Sequence, residues 1–169
     1  MLGVPALLAL TVPLPYSTEA SDATLCDTNA KTANLNFILK DTNGEDFNLA
    51  SQKGKVIVLD FWATWCPPCK VEIPWFVEFH SKYGPRGFSA IGVSVDDSLA
   101  KLKPFAERYK MNYPVLVGDG RDDIKGPGAY SAGWGLPKTF VIGRDGKICK
   151  VHIGLSGKDK FEQEIKALL

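Results

Sequence analysis

The stretch Lys55-Val-Ile-Val-Leu-Asp-Phe-Trp62-Ala-Thr-Trp65-Cys66-Pro67-Pro68-Cys69-Lys70 joins two different residue periodicities. Lys55 to Trp62 is nearly continuous in β-branched and aromatic residues and follows Gly54, the pattern of a strand buried on both faces. From Lys70 to Tyr83 the apolar residues Val71, Ile73, Phe76, Val77 and Phe79 fall at roughly helical spacing. Two cysteines therefore stand where a buried strand gives way to a helix, with Pro67 and Pro68 in its first turn. Proline is tolerated there because its missing N–H would be unpaired anyway. Cysteines one turn apart at a helix start can close a small disulfide. The helix end stabilises a thiolate, which makes Cys66 the expected nucleophile. Cys69, one turn further in, is the expected resolving thiol that breaks a mixed disulfide.

Working outward, Asn36 to Leu49 reads as two short strands about the turn Asp41-Thr42-Asn43-Gly44, a strong hairpin signal. Phe88 to Val95 reads as another strand. Leu99, Leu102, Phe105, Ala106 and Tyr109 predict a helix from about Ser98 to Lys110. A short strand follows at Tyr113 to Val117. The glycine-rich stretch from Gly118 to Gly135 reads as a loop with one helical turn. Thr139 to Ile142 and Lys147 to Ile153 form a hairpin across Gly143 to Gly146, and Asp159 to Leu169 a closing helix. Cys149 alternates with Val151 and Ile153, which predicts a small buried hydrophobe; a disulfide to Cys26 is the alternative. This order implies an α/β architecture with a central mixed sheet and helices on both faces.

The chain has 169 residues, 45% hydrophobic and 23% charged, enough for one domain with a real core. A net charge of +1 implies no field for nucleic acid or a membrane surface. Leu2 to Leu14 is an apolar run broken by Pro5 and Pro13 and too short to span a bilayer. It fits the core of a secretory signal, with Ala20 and Ala23 as cleavage positions. No Lys or Arg precedes it, which leaves a start further upstream, a weak signal, or a disordered apolar end as readings. Leu25 before Cys26 argues against a lipid anchor. We divide the chain into a signal-like or disordered segment 1–23, a linker 24–34 and a domain 35–169. Four cysteines are too few for a disulfide scaffold. Zinc would want a second pair of ligands, and His80, His152, Cys26 and Cys149 offer none in paired spacing.

Phe61-Trp-Ala-Thr-Trp-Cys-Pro-Pro-Cys-Lys70 resembles the active site of the thioredoxin superfamily. Pro74 matches a kinking proline of its helix, Leu136-Pro137-Lys138-Thr139-Phe140 the segment of its cis-proline, and Asp60 its buried acid. The segment 111–135, Gly135 to Lys147, and Glu72 with Pro74 following make residues 35–169 most similar to exported TlpA/ResA-type reductases (AhpC/TSA–redoxin-like). The resemblance implies a thioredoxin fold with an N-terminal β-hairpin and an insertion before the cis-proline strand. It implies a redox-active Cys66–Cys69 disulfide supported by Asp60, Glu72, Trp65 and Pro137. Buried Asp60 is expected to hold a raised pKa and relay the Cys69 proton, with a solvated strand end as the alternative. Glu72 reads equally as an ordinary first-turn helix acid. A cis bond before Pro137 would present backbone groups to a substrate strand. Trp62, Trp65 and Trp134 read as core or as cover for the disulfide, with Trp65 expected to be exposed.

The resemblance implies thiol–disulfide exchange with other proteins, and cytochrome c maturation is the known setting of similar proteins. Asp60 and Glu72 place negative charge near the pair and no His lies between the cysteines, so a reductase is expected over an oxidase. The alternatives are a peroxiredoxin-like peroxidase and a Cu(I) metallochaperone. The first wants a threonine where Ala63 stands, and the second a His near the site, for which His152 is poorly placed. Expected partners are protein disulfide substrates and an electron-donating thiol–disulfide protein, with no cofactor, no metal and no nucleic acid. The protein is expected to be monomeric and exported to the periplasm, or cytoplasmic if the N-terminal segment is no signal. Membrane association is assigned to that segment alone.

Overall fold

Asp41 Oδ1 accepts the backbone N–H groups of Asn43 at 2.8 Å and Glu45 at 3.0 Å, and Gly44 takes φ +79°, closing the turn the sequence predicts. It joins β1 (Ile38–Lys40) to β2 (Asp46–Asn48). These positions come from a computed structural model that describes residues 26–27, 29–125, 130–132 and 135–169. The signal-like segment 1–23, Trp134 and part of the glycine-rich loop lie outside the described residues.

β3 (Val56–Trp62) is buried at every position, as a continuous apolar run requires. It leads into α1 (Pro67–Tyr83), and β4 (Phe88–Ser94) returns parallel to β3. α2 (Leu99–Arg108) precedes β5 (Val115–Val117), and α3 (Asp122–Lys125) is one turn within the glycine-rich stretch. β6 (Lys138–Ile142) and β7 (Ile148–Ile153) form the late hairpin, and α4 (Lys158–Leu168) follows. The sheet order is β5-β4-β3-β6-β7, with β3 central, parallel to β4 and antiparallel to β6.

Alternation along β3 sorts its side chains into two cores. Val56, Val58 and Trp62 meet Ile73, Phe76 and Phe79 of α1, Leu102 of α2, and Phe161 and Ile165 of α4. Ile57, Leu59 and Phe61 are covered by Phe37, Leu39 and Leu49 from the hairpin region and Ile124 of α3. Helices thus flank the sheet on both faces, though the second face is covered mainly by the N-terminal hairpin. Truncating a residue such as Phe76, fully buried against Phe161, would cost about 3–5 kcal/mol.

β7 overturns one expectation. Val151 is 47% and Ile153 66% exposed, while the buried residue of this edge strand is His152. Its ring lies 4.7 Å from that of Phe161, and Nε2 is 2.8 Å from Glu164 Oε2. Cys149 is half-buried and joined to Cys26 in a disulfide. That bond fastens a segment already seated on the sheet, since Ile148 N–H donates to Lys31 O at 2.9 Å and Ala33 N–H to Gly146 O at 2.8 Å.

Candidate active site

Cys66 is the N-cap of α1, extended at φ −86°, with Pro67 and Pro68 behind it. Its Sγ receives the Cys69 backbone N–H at 3.3 Å. The residues are joined in a disulfide across a Cα–Cα distance of 5.3 Å. Cys69 is fully buried and Cys66 2% exposed, so burial separates the two sulfurs less than the spacing suggests. Trp65 is 59% exposed beside them, as expected. Trp62 is core, fully buried, its ring 5.1 Å from Phe105.

The loop between β3 and α1 is held by a residue the sequence reading missed. Fully buried Asp97 accepts Thr64 N–H at 2.7 Å, Thr64 Oγ1–H at 2.6 Å and Ser94 Oγ–H at 2.7 Å. Three bonds make burying that carboxylate tolerable. They also turn the Thr64 hydroxyl toward Asp97.

Asp60 is 1% exposed and lies in register with Gly92 on one side and Thr139 on the other. Its Oδ1 accepts the Thr139 hydroxyl at 3.0 Å. Burial, then the charge of Glu72, push its pKa well above the ordinary carboxylate range, against the opposing pull of Thr139. A solvated strand end is excluded. Glu72 is not an ordinary helix acid either. It is fully buried, and Oε1 accepts Ser156 N–H from the β7–α4 loop at 2.9 Å. Burial pushes it up to about 7, while the Ser156 N–H and the charge of His152 hold it back. The Ser156 hydroxyl lies 3.4 Å from His152 Nδ1, so the His152–Glu164 pair stands directly behind that loop.

These environments correct the expected electrostatics. Burial disfavours the charged form of Asp60 and pushes Glu72 up to about 7, so the negative charge beside the cysteines is less than two ordinary carboxylates imply. The Leu136–Pro137 bond is cis, and Pro137 O accepts Gly154 N–H at 2.7 Å. Lys138 pairs with Phe61, which sets Pro137 at the end of β3 from which the Trp65–Cys66 loop departs. Cys66, Cys69, Asp60, Glu72, Trp65 and Pro137 are thus gathered at one end of the sheet. Asp97, Ser156 and the His152–Glu164 pair act on them from positions remote in sequence, where no local motif marks them.

A family model described as the AhpC/TSA family matches residues 30–151. The thiol-disulfide oxidoreductase ResA of a Bacillus cereus strain is 36% identical over 127 residues, covering 75% of this chain and 71% of that protein. ResA of Geobacillus thermodenitrificans is 33% identical over 132 residues, covering 78% and 74%. The crystal structure of a thioredoxin-family thiol:disulfide interchange protein from Chlorobium tepidum TLS matches with a TM-score of 0.70 at 30% identity, covering 85% of this chain and 99% of that one. A helix-capping cysteine pair at the end of a central strand thus occurs here in the fold of the thioredoxin family. The chain belongs to the AhpC/TSA family and, within it, to the ResA-like thiol–disulfide oxidoreductases.

Proposed function

We propose that the chain reduces disulfides in exported proteins through the Cys66–Cys69 pair, the cysteines of an apocytochrome c before haem attachment among them. The observation that carries this reading is the capping geometry, a Cys69 N–H aimed at Cys66 Sγ from 3.3 Å at the positive end of a helix. In the reduced protein the Cys66 thiolate attacks a substrate disulfide, forming a mixed disulfide and releasing one substrate thiolate. Cys69 then yields its proton to a buried carboxylate, and its sulfur attacks Cys66 Sγ. The second substrate thiolate leaves, the Cys66–Cys69 bond closes, and two electrons have passed to the substrate. A partner thiol–disulfide protein restores the dithiol.

Glu72, at about 7, is poised to take that proton near neutral pH, because a general base works best near its own pKa. Asp60, its pKa raised by burial and then by the charge of Glu72, is the buried neighbour in this reading. Exposed Trp65 and the Pro137 segment, at the same end of the sheet, are the substrate contacts in this reading. Peroxidase chemistry is disfavoured by the placement of Thr64, whose hydroxyl is committed to Asp97, and by Ala63 in the position a peroxidatic threonine would hold. His152 is committed to Glu164, which disfavours it as a copper ligand.

The test is capture. Cys69→Ala, expressed in the native host, is expected to accumulate disulfide-linked adducts that dithiothreitol dissolves and that vanish when Cys66 is also replaced. Adducts that persist without Cys66, or none at all, would overturn the reading.

A further inference from the structure

Four buried polar atoms have no protein partner among the described residues: Asp60 Oδ2, Glu72 Oε2, Trp62 Nε1 and Tyr113 Oη. Folded interiors pair nearly all such atoms, so four in one layer ask for a common cause. They share a place. Asp60 lies in register with Gly92 of β4, and Trp62 lies two residues further along the same face. A methyl group on Gly92 would sit 2.9 Å from Trp62 Nε1 and 3.3 Å from Tyr113 Cε2. Glycine at 92 therefore lets the Trp62 indole N–H and the Tyr113 ring approach β4 at the position in register with Asp60. Tyr113, just ahead of β5, is 6% exposed and belongs to the same core cluster as Cys66 and Cys69.

A phenylalanine would supply the same packing at position 113. The hydroxyl is the excess, on a ring that packs against Gly92, the strand position in register with Asp60. Burial first, then Asp60 and Glu72, hold the phenol well above its ordinary range, so it stays protonated and can only donate to a carboxylate. Resting on the carboxylate reading above, we propose that Tyr113 is a positioning residue for exchange, its hydroxyl being the neutral donor that supports the ionised form of the Asp60–Glu72 pair when that pair takes the Cys69 proton.

The titratable groups around Tyr113 are Asp60 from β3, Glu72 and His80 from α1, and the Cys66–Cys69 pair. Behind Glu72 stand His152 of β7 and Glu164 of α4. The His80 ring is 6.1 Å from that of Tyr113, and its Nδ1 accepts Ala90 N–H at 3.2 Å. Burial, then the charge of Lys55, lower the His80 pKa, which disfavours a positive charge there. His152 reaches Glu72 alone in this set, and its influence is present in the wild type and the variant alike.

Tyr113→Phe keeps the ring and removes only the hydroxyl. The reduced protein is mixed rapidly with oxidised glutathione, and release of glutathione from the Cys66 mixed disulfide is followed across pH, beside thermal melts. Loss of the donor should raise the carboxylate pKa and move the acid limb of the release rate upward by about half to one pH unit. Release at pH 6 then falls roughly three- to tenfold, with the melting temperature unchanged or raised. An unmoved limb with a lower melting temperature would make Tyr113 a packing residue and overturn the inference. Glu72→Gln and Asp60→Asn, run in parallel, separate the two levels of the argument. If either moves the limb and Tyr113→Phe does not, this inference alone fails; if none does, the carboxylate reading fails with it.

Discussion

Glu72 is a carboxylic acid with no exposed surface, and its environment makes a signed prediction about stability. Its folded pKa, about 7, lies above the unfolded value of 4.5, so its favourable contribution is complete below the unfolded value and is lost as pH rises through the folded one. Asp60 has the same sign, its pKa being raised chiefly by burial. Thermal melts of the oxidised protein should therefore give a higher melting temperature at about pH 5 than at about pH 8. Glu72→Gln should remove most of that fall; an equal fall in the variant would mean that Glu72 is solvated. The cysteines carry a second prediction at this scale. Their burial is nearly equal, so selectivity must come from the Cys69 N–H and the helix end that favour a Cys66 thiolate. In the reduced protein, iodoacetamide near neutral pH should label Cys66 at least about tenfold faster than Cys69, read by peptide mass spectrometry. Faster labelling of Cys69 would reverse the assignment of nucleophile and resolving thiol.

At the scale of elements, the Cys26–Cys149 bond links the segment before β1 to the edge strand β7 across a sequence separation of 123. Replacing both residues with serine should lower stability by about 2–4 kcal/mol, measured by denaturant unfolding, while exchange through Cys66 and Cys69 continues. Loss of exchange in a folded double variant would tie this second disulfide to the reaction. β7 also marks where sequence reading reaches its limit. Strict alternation of Cys149, Val151 and Ile153 identifies one face of a strand without saying which face is covered. Apolar residues are the usual choice for the inside, yet here His152 is buried because α4 brings Glu164 to meet it. β3, α1 and the first hairpin were legible because their cues are local: a continuous apolar run, helical spacing with prolines at the start, and an Asn-Gly turn. Asp97 was not, because its bond to Thr64 spans 33 residues, and Ser156 reaches Glu72 across 84. Even at legible positions the environment decided the chemistry: Glu72 could be read as a helix acid until the β7–α4 loop closed over it.

Over the whole molecule, the central strand delivers the cysteines to the end of a sheet whose interior holds the acids, so Cys66 and Cys69 share one buried layer with Asp60 and Glu72. Such a layer favours neutral thiols over a permanent thiolate, and no cation stands between the cysteines. Both features disfavour the strongly stabilised dithiol of an oxidant. Partly ionised Glu72 supplies the remaining negative charge, and its share grows above neutral pH. The potential should therefore become more negative with pH more steeply in the wild type than in Glu72→Gln around pH 7, a difference that redox titrations at several pH values would detect. The most direct test of the reductant role is the potential itself, from equilibration with glutathione buffers read by tryptophan fluorescence, Trp65 and Trp62 flanking the pair. The expected value is around −250 mV near neutral pH, and the fluorescence change should disappear in Cys66→Ser. A value above about −150 mV would place the protein among oxidants and contradict the account.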